Sequence, residues 1–158
     1  MFFLRLLFFI FLFLIISPNV SLSSKKIKFL VTKYDEVNIR NGPGINHLKL
    51  YKVFVKGYPV IILEEFENWF RIKDYENREG WISSTQLEKK NYAILTSTSA
   101  KIFKFPNLKS KVTAIAKKDF VLKVIKCKKN WCNVFDDRKN VSGWTNKKNL
   151  WGLENHED

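Results

Sequence analysis

The chain has 158 residues, a formal net charge of +13, two cysteines and two histidines. That length allows one or two small domains, and without a Cys-x-x-Cys motif or a histidine cluster it holds no zinc site of the usual kind. The basic balance says nothing about fold but points to anionic partners.

The chain opens on Met1-Phe2-Phe3-Leu4-Arg5, followed by an apolar run over 6–16, a Ser17-Pro18 break and small polar residues to Ser24. A short basic start, an apolar middle and a small-residue zone make a secretory signal peptide over 1–23. The apolar run is shorter than the ~20 residues a membrane span needs, so membrane contact is expected only in transit. Cleavage would remove Arg5 and leave +12. An exported chain resides in the periplasm or cell envelope, which argues against nucleic acid despite lysines interleaved with aromatics. Anionic head groups, acidic glycans and cell-wall polymers are the polyanions available there.

Residues 28–88 hold short runs rich in Val, Ile, Phe and Tyr, divided by turn signals such as Asn41-Gly42-Pro43-Gly44, Lys56-Gly57 and Glu67-Asn68. Strands are expected over 29–33, 37–40, 50–55, 60–65, 69–74 and 80–83, with no amphipathic helix between them. A four-residue polar connector, Glu88-Lys89-Lys90-Asn91, leads into a second series over 92–95, 101–105, 111–116, 120–127, 131–135 and 141–145. Pro43 and Pro106, Trp81 and Trp144, and Leu87 and Leu150 are each 63 positions apart, and Trp69 and Trp131 are 62 apart. A repeat of this period marks two copies of one domain, 28–88 and 91–152, with a polar tail over 153–158. The fold class is therefore all-β, two tandem small barrels. Domains of about 60 residues are marginal alone and the connector is short, so the copies are expected to pack together. Outward aromatics such as Trp69 or Trp131 are available for that contact.

Alternation puts Phe70, Ile72 and Ile82 on the core face and Trp69, Arg71 and Trp81 opposite. Trp69, Trp81, Trp131 and Trp144 form two matched pairs, suited to stacking sugar rings or flanking an extended peptide. Equally, they could cap the barrels or seal the domain contact. Asn38 and Arg40 share one face of their strand. Arg40 offers a forked donor to a carboxylate or phosphate, or a partner for Asp35 or Glu36, while Asn38 can bond local backbone. Pro43 and Gly44 fit the centre of a tight turn, with positive φ expected at Gly44. Cys127 and Cys132 flank a hairpin turn and would face the same core, which in an oxidising compartment reads as a disulfide, or else as two buried thiols. No histidine lies near the cysteines to activate a nucleophile. Glu64-Glu65 and Asp136-Asp137 are adjacent strand residues that point apart, so neither forms an acid–base pair. Neither an enzyme nor a cofactor is expected.

The run Asp35-Glu36-Val37-Asn38-Ile39-Arg40-Asn41-Gly42-Pro43-Gly44, followed by Asn68-Trp69-Phe70-Arg71-Ile72 and Gly80-Trp81-Ile82, resembles bacterial SH3-like (SH3b) domains. The Trp131-Cys132 pair and the ending Leu150-Trp151-Gly152 resemble the second copy of exported two-repeat members. The second copy departs at its opening, Ala100-Lys101-Ile102-Phe103-Lys104-Phe105-Pro106, which keeps only the apolar pattern and the proline. The resemblance implies SH3-like barrels and a non-catalytic envelope binding module. Its expected ligand is peptidoglycan, by stem peptide or glycan, and the alternative partner is an envelope protein. Candidate ligand-binding residues are Asn38, Arg40, Trp69, Trp81, Trp131 and Trp144.

Overall fold

A computed structural model describes residues 27–153. The signal peptide expected over 1–23 and residues 154–158 of the tail lie outside the described residues. The first copy contains β1 (Phe29–Thr32), β2 (Val37–Arg40), β3 (Lys49–Val53), β4 (Pro59–Phe66), β5 (Trp69–Lys73), β6 (Glu79–Ser83) and β7 (Leu87–Glu88). The second contains β8 (Tyr92–Leu95), β9 (Ser99–Phe103), β10 (Val112–Lys117), β11 (Val121–Lys128), β12 (Trp131–Asp136), β13 (Val141–Asn146) and β14 (Leu150–Trp151). Each set forms a seven-stranded sheet, in the orders β3-β2-β6-β5-β4-β1-β7 and β10-β9-β13-β12-β11-β8-β14. Strand for strand, these are the same order.

The correspondence extends to irregularities. A bulge interrupts β4–β5 pairing between Ile62 and Glu64, and another interrupts β11–β12 between Val124 and Lys126. Left-handed backbone recurs at Gly57 and Asp119, at Glu67 and Lys129, and at Asn77 and Asn140. Both copies also have a 3-10 turn before the last strand, Ser84–Gln86 and Lys147–Asn149. Those turns and the two-residue strands β7 and β14 escape an alternation rule, because two residues have no period to display.

The repeated Gly-Trp has a steric cause. A Cβ on Gly80 would lie 2.4 Å from Ile39 Cγ2 and 2.9 Å from the Arg40 carbonyl oxygen. One on Gly143 would lie 2.6 Å from Ile102 Cγ2 and 2.7 Å from the Phe103 carbonyl oxygen. Only glycine lets β6 and β13 cross β2 and β9 so closely. Gly44 differs from expectation, since positive φ among the described glycines occurs at Gly57 and Gly152. What Gly42 and Gly44 provide is room: the His47 ring lies against both, within 2.5 Å of where a Gly42 Cβ would stand.

The two sheets pack against each other. On β8 and β11, Ala93 and Leu122 face the second core, whereas Ile94 and Val121 join the first, beside Val37, Ile39, Val60, Ile72 and Ile82. Both faces of this strand pair are therefore covered, which explains the unbroken apolar run at Ala93-Ile94-Leu95. The aromatic rings that join the two copies include Phe29, Tyr75 and Trp151, and Tyr92 lies against Gly57. Among the described residues, no ring contact brings in Trp69 or Trp131, the tryptophans anticipated for it. The Phe29 and Trp151 rings meet edge-on at 5.2 Å, Tyr75 lies 6.4 Å from Trp151, and the Tyr75 hydroxyl donates to Asp119. Gly152, at φ +95, sits where a Cβ would strike Pro59, so the Leu-Trp-Gly ending belongs to the domain contact.

Candidate functional site

Directly opposed strand residues share a face. Arg40 is opposite Trp81, Trp81 opposite Arg71, Arg71 opposite Glu64, and Trp69 opposite Phe66. Asn38, two residues before Arg40, is opposite Lys52. One outer face of the first sheet thus gathers Asn38, Arg40, Trp69, Trp81 and Arg71, with Phe66 among them. The Phe66 and Trp81 rings contact edge-on at 6.5 Å, and Phe66 is 49% exposed. Strict alternation does not place Phe66 here, because the bulge after Ile62 changes which β4 residues face outward.

The two arginines on this face are already engaged. Arg71 Nε is 3.0 Å from Glu64 and its Nη1 is 3.8 Å from Glu79. Arg40 Nη1 donates to the His47 carbonyl at 2.8 Å, bracing the Gly-Pro-Gly loop. Neither expected acidic partner of Arg40 holds it: Glu36 pairs with Lys52, and Asp35 accepts from the Lys56 amide. The Asn38 Oδ1 atom is buried without a hydrogen-bond partner.

The second copy repeats the tryptophans and changes their surroundings. Trp144 is opposite Phe103 and Asn133, and Trp131 is opposite Lys128. Phe103 stands where the first copy has Arg40, and it contacts Trp131 edge-on at 5.7 Å. Lys126 replaces Glu64, with its ammonium 5.9 Å from the centre of the Trp144 ring. Lys101 stands in the place of Asn38, and Lys128 in that of Phe66. Where the first face sets two arginines and two carboxylates around Trp81, the second sets three lysines around its aromatic rings. All four tryptophans are half-buried, and the ring contacts of Trp81, Trp131 and Trp144 fall within their own sheets.

Behind the second face, Cys127 and Cys132 are disulfide-bonded across a cross-strand pair, with Cα atoms 4.0 Å apart. The first copy has Glu65 opposite Phe70 at this place. There Lys28 joins the hairpin instead, 2.7 Å from Glu65 and 5.2 Å from the Phe70 ring centre.

The barrel end next to β3 and β10 also differs between copies. In the first, Asp74 is 1% exposed and accepts from the Tyr51 and Tyr58 hydroxyls, each at 3.3 Å, and from Arg78 Nε at 2.7 Å. Burial and the Asp74 carboxylate push both phenols far above their usual pKa. Arg78 stacks on Tyr51, 4.4 Å from its ring centre. Burial lowers the Arg78 pKa, but its hydrogen bond to Asp74 outweighs that and holds it above the usual range. Among the described residues, no three His, Cys, Asp or Glu side chains gather as metal ligands would.

The bacterial SH3 domain family matches this chain twice, in two related forms, at residues 35–88 and at residues 96–152. No curated protein matches. Among solved structures, NlpC2 from Trichomonas vaginalis is 15% identical, with a TM-score of 0.38 over 85% of this chain and 52% of its own. NlpC1 from the same organism is 14% identical, with a TM-score of 0.38 over 87% and 50%. An NlpC/P60 family protein from Bacillus cereus is 12% identical, with a TM-score of 0.36 over 83% and 58%. The chain spans roughly half the length of these proteins, and likeness at this level carries no functional argument.

Proposed function

We propose, for a chain that belongs to the bacterial SH3 domain family through two tandem copies, the role of a non-catalytic binding module of the bacterial cell envelope that recognises peptidoglycan. The observation that carries this reading is the fate of the four paired tryptophans. Packing of the two domains uses Phe29, Tyr75 and Trp151, which leaves Trp69, Trp81, Trp131 and Trp144 half-buried on the outer faces. A half-buried indole presents a flat apolar surface at little entropic cost, which suits a sugar ring or an extended stem peptide.

The two faces divide the work. On the first, Arg71 and Arg40 are fixed by Glu64, Glu79 and the His47 carbonyl. They hold the edge of the platform in place, so neither guanidinium is free to fork onto a ligand. On the second, Lys101, Lys126 and Lys128 surround Trp131, Trp144 and Phe103 and supply attraction to a polyanion. The signal-like residues 1–23 support an envelope location. Incubating the chain from residue 24 onward with purified sacculi tests the reading: retention at low salt, weakened as salt screens the lysines, is expected. Absence of retention by folded protein overturns it, and turnover of labelled sacculi overturns the non-catalytic part.

The exposed Phe66 beside Trp81 favours one second reading, docking of the first face onto an envelope protein. Binding to envelope extract that survives high salt and is lost on Phe66→Ala would select it.

A further inference from the structure

The second copy contains a cavity of about 240 Å³ that the tryptophan faces do not use. Its apolar walls include Ile102, Ala114, Ala116, Phe120, Leu122 and Val134, and its charged lining residues are Asp136, Lys117 and Lys139. Strand register explains why space is left here. Ala114 is opposite Ile102 on β9–β10, as Tyr51 is opposite Ile39 on β2–β3. Ala116 is opposite Ala100, as Val53 is opposite Val37. Phe120 precedes β11 as Tyr58 precedes β4. The first copy thus fills the position with a tyrosine ring from β3 and directs two hydroxyls at Asp74. In the second copy the ring has shrunk to a methyl group and neither equivalent position carries a hydroxyl.

The carboxylate has nevertheless been kept. Asp136 is 6% exposed, and its Oδ1 accepts from the Arg138 amide at 3.0 Å and from Arg138 Nε at 3.4 Å. In the same way, Asp74 Oδ1 accepts from the Glu76 and Arg78 amides. Arg138 stacks on Phe120 at 4.4 Å, as Arg78 does on Tyr51. What the second copy lacks is the aromatic ring bearing a hydroxyl. An apolar cavity of about 150 Å³ holds a benzene, so this one holds a single ring with room for a substituent.

We propose that this cavity is a binding site for a phenol, a single aromatic ring whose hydroxyl donates to Asp136 from the position Tyr51 fills in the first copy. The guest is either a free phenolic compound or a tyrosine side chain presented by a polypeptide. The site does not depend on the cell-wall reading, because neither Trp131 nor Trp144 lines it.

Titration of the chain from residue 24 with p-cresol, followed by the methyl resonances of Ala114 and Ala116, tests the proposal. Saturable shifts are expected, with toluene binding about tenfold more weakly because it offers Asp136 no donor. Ala114→Tyr, which fills the cavity from within, removes the p-cresol response. Ala114→Leu serves the same purpose by volume should the tyrosine not fold. N-acetyl-tyrosinamide separates the two sources: if it binds alongside p-cresol the guest is a side chain, and if p-cresol binds alone it is a free phenol. No saturable shift in folded protein overturns the proposal. So does equal affinity for toluene, or p-cresol binding that survives both substitutions.

Discussion

The two halves of this molecule share strand order, bulges and left-handed positions, yet they secure their interiors by different means. The first copy holds a buried carboxylate between two phenols and an arginine, and braces its long hairpin with Lys28 on Glu65 and Phe70. The second omits the phenols, leaves a cavity and ties the same hairpin with a disulfide. Register is thus set by the alternating apolar positions and the glycine crossings, which both copies keep. The barrel end and the hairpin are free to vary, and variation there separates a filled domain from a hollow one.

Substitutions that convert one copy toward the other sharpen this comparison. The largest effect is expected from Tyr51→Ala, which gives the first copy the hollow of the second and takes a partner from Asp74. A loss of about 3 kcal/mol in urea denaturation is expected, and a loss below about 1 kcal/mol would mean the ring does not fill the barrel end. Next is the disulfide. Opening Cys127–Cys132, by reductant or by Cys127→Ser with Cys132→Ser, should cost about 2 kcal/mol, since so short a loop gains less than the ~3 kcal/mol of a 15-residue one. No change in the denaturation midpoint on reduction would show that the second hairpin needs no tie. Smaller and opposite in sign is Ala114→Leu, which should stabilise the second copy by about 1 kcal/mol by filling its cavity.

A further effect shows only at alkaline pH. The phenols of Tyr51 and Tyr58 have their pKa raised in the folded protein by burial and by Asp74, from an ordinary value of 10.0. Tyr92 of the second copy is pushed up to about 12 by burial and by its bond to Asp137. A raised acid is held protonated by folding, so its contribution is complete below the unfolded pKa and is lost as pH climbs past it toward the folded value. Thermal stability should therefore fall above about pH 10. Tyr51→Phe should flatten the decline, whereas an unchanged alkaline profile would detach Tyr51 from the Asp74 cluster.

Much of the fold was legible in the sequence, because a 63-residue period and alternating apolar positions both act over many residues. The disulfide was legible too, since Cys127 and Cys132 flank a short hairpin turn and fall opposite each other across it. The bulge between Val124 and Lys126, however, turns Ile125, expected on the same face as Cys127, out to solvent. The outer face was only partly so: Asn38, Arg40, Trp69 and Trp81 follow from alternation, but Phe66 joins them only through a bulge. The domain contact was misplaced, because nothing local distinguishes Trp151 from Trp131; the difference is that Gly152 and Pro59 allow close approach. The cavity has one trace in the sequence, the exchange of Tyr51 for Ala114 at the repeat spacing. An alanine on a strand looks unremarkable until the copies are laid side by side.

The measurement that bears most directly on the binding role is co-sedimentation with purified sacculi for three folded proteins: the wild-type chain from residue 24, Trp81→Ala and Trp144→Ala. Wild type should be retained at low salt and both variants retained less. The salt-sensitive part of the binding should be missing chiefly from Trp144→Ala, whose face carries the lysines. Equal retention of all three, or none for wild type, would contradict a cell-wall role for the tryptophan faces.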